Sequence, residues 1–112
     1  MAERTRRKAP ETAELRRLRR RIDALDRRIV GLLNERARLA REAGQAKADA
    51  GRTAVRDAER EREILLRVSM ANEGPMPQAD LLALYRRLFA TTRALETRDR
   101  RRPPFDNGSG DA

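Results

Sequence analysis

Leucine, isoleucine and alanine recur along the first half of this chain at alternating spacings of three and four. Leu15, Leu18, Ile22, Leu25, Ile29 and Leu32 open the series, and Leu39, Ala43 and Ala46 continue it. That period belongs to a helix whose apolar stripe packs against other helices, sustained here over about four heptads. Thr12 suits an N-cap and Gly51 a stop, which predicts helix one from about residue 12 to about residue 50. Gly31 and Gly44 lie inside it and weaken it only slightly. A second helix is predicted from near Arg56 to about Asn72 on the stripe Ile64, Leu65 and Val68, with Glu73-Gly74-Pro75 ending it. A third begins near Pro77, a residue suited to a first turn, and runs to about Asp99 on Leu81, Leu84, Tyr85, Leu88 and Leu95. No alternating run predicts a strand, and no internal repeat is present. The expected fold is all-α, with one long, one short and one medium helix per chain.

Outside these helices, residues 1–11 read as a basic, flexible N-terminal arm and residues 100–112 as a disordered tail, leaving 12–99 as the helical domain. The length of helix one bears on assembly. Nearly forty residues at ~1.5 Å each make a rod about 55 Å long. A compact chain of this size has a radius of gyration of only about 13 Å. Two shorter helices cannot cover such a rod on every apolar side, so a second copy is expected along it, giving a homodimeric helical bundle.

Composition narrows the chemistry. Of 112 residues, 40% are charged and 3% aromatic, and the formal net charge is +9, with basic runs at both ends. Such a chain suits an anionic partner: nucleic acid, an acidic surface or a small molecule. The ordered apolar spacing argues against disorder despite the charge. With no cysteine and no histidine, disulfides, cysteine metal sites and the commonest general base are all excluded. No stretch is apolar enough for a signal peptide or a membrane span, so a cytoplasmic location is expected.

The informative residues are charges standing where apolar residues belong. Continuing the spacing from Leu32 lands on Arg36, and Lys47 follows eleven residues later, about three turns on and pointing the same way. In helix two, Asp57, Arg60 and Glu61 share one face directly upstream of the apolar stripe. In helix three, Thr92 and Glu96 fall on the stripe of Leu88 and Leu95. Each has a structural account alone: an arginine that fixes register, an aspartate that caps a helix, a tolerated core threonine, a frayed helix end. Together they place charge on the dry face of all three helices, where it costs several kcal/mol unless paired or used. Arg19 stands apart, seventeen residues before Arg36 and about 25 Å away along the axis, so one small ligand cannot touch both within a chain. Either it is one exposed arginine among many, or it serves a partner's site in an antiparallel pair.

The run LRRLRRRIDALDRRIVGLLNERARLAREAGQAK, then VRDAERERE, then LYRRLFATTRALE, resembles the all-helical chorismate mutases over about residues 13–98. The resemblance implies an intertwined dimer of three-helix chains with two active sites. It further implies that Arg36, and Arg19 from the partner chain, bind the two substrate carboxylates, while Lys47 binds the ether oxygen and a carboxylate. Asp57 and Glu61 would hold the ring hydroxyl, with Arg60 supporting the carboxylate side. Thr92 stands where many members have serine, and Glu96 where some have glutamine and others glutamate. The loop 48–54 is one residue longer than in the nearest matching pattern. The implied reaction, chorismate to prephenate, is a unimolecular pericyclic step that needs no nucleophile, metal or cofactor.

Two rivals stand beside this reading. One is a relative acting on isochorismate or an amino-substituted chorismate, such as an isochorismate pyruvate-lyase or an aminodeoxychorismate mutase; the pair Asp57 and Glu61 argues for the ring hydroxyl. The other is a basic helical module binding nucleic acid, which would keep its apolar seams dry. The seam charges oppose it, and one tyrosine and two phenylalanines offer little for base stacking.

Overall fold

The computed structural model describes residues 9–52 and 54–101 and contains three helices: α1 (Ala13–Asp49), α2 (Ala58–Ala71) and α3 (Gln78–Arg101). No strand occurs among the described residues. The basic arm up to residue 8 and the tail from residue 102 lie outside them. Helix α3 continues through residues 100 and 101, past the boundary predicted for the domain, with Arg98, Arg100 and Arg101 complementing the dipole at its last turn.

Each helix end has a local cause. Thr12 caps α1: its hydroxyl oxygen accepts from the Leu15 amide at 3.1 Å and its carbonyl from the Arg16 amide at 3.0 Å. At the other end Gly51, at φ +81°, closes a Schellman turn. Its amide donates to the Ala48 carbonyl (3.0 Å) and the Arg52 amide to the Lys47 carbonyl (2.8 Å). Asp57 is the N-cap of α2, accepting from the Arg60 amide at 3.0 Å, so that helix starts two residues later than predicted. For α3, the first helical bond runs from the Leu81 amide to the Pro77 carbonyl, which makes Pro77 the residue before the helix instead of a member of its first turn.

The chain divides into two compact units between Arg36 and Ala37, within α1. In the first, the described residues form the opening stretch of α1, a helix with no neighbour in its own unit. Its stripe is exposed accordingly: Leu15 and Leu18 at 39%, Ile22 at 54%, Leu25 and Ile29 at 50%, Leu32 at 59%.

The second unit holds the core. Helices α2 and α3 pack on each other, and Ile64, Leu65 and Val68 of α2 and Leu81, Tyr85 and Leu88 of α3 are half-buried. Phe89 is the buried hydrophobic centre, 5% exposed, and meets the Tyr85 ring edge-on at 6.3 Å between centroids. Burying a phenylalanine contributes about 1.5–3 kcal/mol. The predicted stripe omitted Phe89 and included Leu84, which is 54% exposed. Leu81, Tyr85, Leu88 and Leu95 of the predicted stripe are half-buried, and Phe89 and Glu96 are the two α3 residues that are buried.

Candidate functional site

The second unit brings the end of α1, the start of α2 and the last turns of α3 together around ionisable side chains. Helix α3 is the bridge. Thr92, Arg93 and Glu96 follow one another at helical spacing, so all three project to neighbouring parts of one side. Glu96 reaches α1, and Arg93 reaches α2.

Glu96 is 7% exposed. Its Oε2 lies 3.5 Å from Lys47 Nζ, and the Lys47 side chain is itself 21% exposed. Gly44, one turn before Lys47, lies directly beneath the glutamate. A Cβ added there would sit 3.1 Å from both Cγ and Cδ of Glu96 and 3.4 Å from Oε1. Glycine at that position lets the carboxylate lie along α1 beside the lysine without having to give way. The Schellman turn then ends the helix just after Lys47, leaving the ammonium at the last turn, where the dipole favours a cation. Thr92 is half-buried one turn before Glu96.

On the α2 side, Glu61 is the inward carboxylate, its side chain 17% exposed. Arg93 Nη1 donates to its Oε2 at 2.5 Å, and Arg56 Nε stands 3.7 Å from its Oε1. Asp57, half-buried, uses Oδ1 to cap α2, while its Oδ2 is 3.9 Å from Arg52. Arg60 turns outward: its Nη1 bonds Glu63 at 3.1 Å and its side chain is 52% exposed. The shared face expected for Asp57, Arg60 and Glu61 is therefore divided, because Asp57 sits before the first helical residue and only Glu61 faces α3.

The other two arginines singled out in the sequence lie in the first unit. Arg19 pairs with Glu11, its side chain 62% exposed. Arg36 is half-buried.

A latch at the far end of α3 fixes that helix against α1. Arg41 donates to both carboxylate oxygens of Asp99, at 2.9 and 2.8 Å. This bidentate bond, and then the aspartate's charge, hold the guanidinium above its ordinary pKa. Arg100 Nη2 donates to the Arg52 carbonyl at 3.4 Å, tying the same end to the loop after α1.

Residues 18–97 match the family described as chorismate mutase type II. The chain belongs to that family. A bifunctional chorismate mutase/prephenate dehydratase of Aquifex aeolicus is 39% identical over 87 residues, covering 74% of this chain and 24% of that protein. Its counterpart in Neisseria gonorrhoeae is 39% identical over 75 residues, covering 67% of this chain and 20% of that protein. The chain thus spans about a quarter of the length of the curated relatives it matches. Among solved structures, chorismate mutase (form II) of Thermus thermophilus superposes with a TM-score of 0.72 at 33% identity, covering 76% of this chain and 96% of that one. Chorismate mutase here means an all-helical fold, in agreement with the three helices and with the fold read from the sequence. No described helix is long and apolar enough to cross a membrane.

Some participants escaped the sequence reading. Arg93 was indistinguishable from the many arginines around it, although its spacing from buried Phe89 and Glu96 marks the same face. Gly44 reads as a minor helix defect until the glutamate above it is seen.

Proposed function

We propose that this chain rearranges chorismate to prephenate, holding the dianion by charge and hydrogen bonds without covalent catalysis. The observation that carries the proposal is the buried carboxyl of Glu96 laid beside Lys47 over a glycine that makes room for it. In a rearrangement that breaks a carbon–oxygen bond, charge builds on the ether oxygen. A cation held in a water-poor recess stabilises that oxygen more in the transition state than in the ground state. Lys47 is the cation of this reading. Glu96, beside Lys47, is the second group of this reading at the same oxygen. Arg36 takes one substrate carboxylate and Arg19 the other, Arg19 acting across the interface of a homodimer. Glu61 accepts from the ring hydroxyl with Asp57 close by at the α2 cap, Thr92 adds a hydroxyl beside Glu96, and Arg60 supports the carboxylate side by turning from Glu63.

The exposed stripe of the first unit supports the dimer. Six large aliphatic side chains on one helical face, each at least 39% exposed, make an apolar surface that a second copy of the same helix can cover. The abundance of charge and lack of cysteine suit a cytoplasmic setting.

Incubating the purified protein separately with chorismate and with isochorismate, and identifying the products, tests this reading. Prephenate from chorismate, with no pyruvate released from isochorismate, is the expected result. Release of pyruvate from isochorismate alone would replace the mutase with a lyase.

A further inference from the structure

Glu61 does not face the site as a lone carboxylate. Arg93, from α3, bonds its Oε2, and Arg56, from the loop before α2, stands near its Oε1. The two arginines differ in weight. The Arg56 side chain is 66% exposed, and solvent screens much of its charge. That of Arg93 is 30% exposed and bonded to a carboxylate 17% exposed, in surroundings that screen far less. An ionised carboxylate has about four acceptor positions, of which these two contacts use at most two. Room remains for one further donor. The charge that such a donor meets, however, is no longer negative: one carboxylate is offset by at least one close guanidinium.

We infer that Arg93 is a specificity-determining residue, tuning Glu61 to accept from a neutral ring hydroxyl and to disfavour a protonated ring amine at the same position. The inference rests on the proposed placement of the ring substituent at Glu61. An unpaired glutamate attracts an ammonium more strongly than a hydroxyl, because charge–charge attraction adds to the hydrogen bond. A glutamate already neutralised by Arg93 offers the hydrogen bond without the net attraction, and the guanidinium repels the incoming cation. Discrimination of this kind, by a repulsive element placed beside the attractive one, distinguishes ligands of nearly identical shape. A purely structural role would have Arg93 join α2 to α3 and nothing more. The two roles differ in a measurable ratio.

The test uses 4-amino-4-deoxychorismate, whose amine is protonated at neutral pH, as a competitor against chorismate. For the wild-type protein and for Arg93→Met, which keeps the aliphatic stem, the KM for chorismate is divided by the Ki of the amino analogue. The expected result is a rise in that ratio of about tenfold in Arg93→Met, the order of one close charge–charge contact in a partly screened site. Arg93→Lys should hold the wild-type ratio, since the charge is retained. The ratio is internal to each protein, so a reduced folded fraction cancels; Arg93→Gln provides a second neutral variant should the methionine form fail to fold. A ratio unchanged within about twofold in every neutral variant that turns over chorismate overturns the inference and leaves a structural ion pair. If the wild-type protein itself forms no prephenate from chorismate, the functional reading fails first, and the inference falls with it.

Discussion

Two stretches of the same helix have opposite fates. From Leu15 to Leu32, α1 carries a regular leucine and isoleucine stripe that remains 39–59% exposed. From Ala37 to Asp49 the stripe thins, after exposed Leu39, to alanine and glycine, yet here lie the helix's one buried residue, Gly44, and the lysine that meets buried Glu96. The apolar stretch has large side chains and no cover. The later stretch has small side chains and close neighbours. Large aliphatic residues on an unaccompanied helix gain stability only when another helix removes them from water, by about 25 cal/mol per Å². Small residues instead let backbone and charged side chains approach, which suits a site. On the proposed function, one helix supplies assembly along its first part and chemistry along its last.

The comparison breaks most visibly at Lys47. Lys47→Ala should lower kcat by about 100- to 1,000-fold, as removal of a transition-state charge does, while circular dichroism stays near that of the wild type. A loss that appears only in KM would show instead that the lysine binds substrate and transition state alike.

The assembly half breaks at Ile22. A carboxylate at the centre of a covered stripe leaves a buried, unpaired charge, so Ile22→Asp should cost about 3–5 kcal/mol and convert dimer to unfolded or monomeric chains. Light scattering and chemical denaturation read both effects. If the stripe faces solvent in the working protein, the same substitution should fall within about ±0.5 kcal/mol and leave the mass unchanged.

Glu96→Gln sharpens the picture within the site. Glutamine supplies an N–H donor where an ionised carboxylate only accepts. Glu96→Gln should therefore keep most of the wild-type kcat, whereas Glu96→Ala should lower it by about 100-fold. A glutamine variant as weak as the alanine one would move Glu96 from the ether-oxygen site to a structural partner of Lys47. Gly44→Ala should have a smaller effect of the same kind. Alanine favours a helix interior by about 1 kcal/mol, so the variant should melt no lower. Its Cβ crowds Cγ and Cδ of Glu96, however, and kcat should fall by about tenfold, a modest misplacement of a positioned group. Unchanged kcat would mean that the glutamate shifts freely. Smallest of all, Arg41→Ala removes an exposed latch at the α3 end, and activity should remain within about twofold.

The helices were legible in the sequence because their signals are local. Thr12, Gly51 and Gly74 act through backbone geometry within a turn of themselves, and the three-four spacing survives any tertiary arrangement. The family was legible too, since Lys47, Glu61 and Glu96 stand in runs specific enough to be matched. What lay beyond the sequence depends on side chains meeting across helices. Asp57 has two readings in the sequence, inward residue and cap, and the structure shows the cap, because the helix starts at the next residue and its orphan amides need an acceptor. Phe89 joins Tyr85 in the core while Leu84 stays 54% exposed. Arg93 became visible only as the partner of Glu61, thirty-two residues away.

The central proposal is that each site is shared between two copies, with Arg19 supplied by one copy and Arg36 by the other. Refolding Arg19→Ala together with Arg36→Ala tests it directly. Each variant alone should lose most activity. In a random mixture half the dimers are mixed, and each mixed dimer carries one intact site and one doubly altered site, so activity should recover to about one quarter of the wild type. A mixture as inactive as its components would contradict the shared site and confine Arg19 to its own chain.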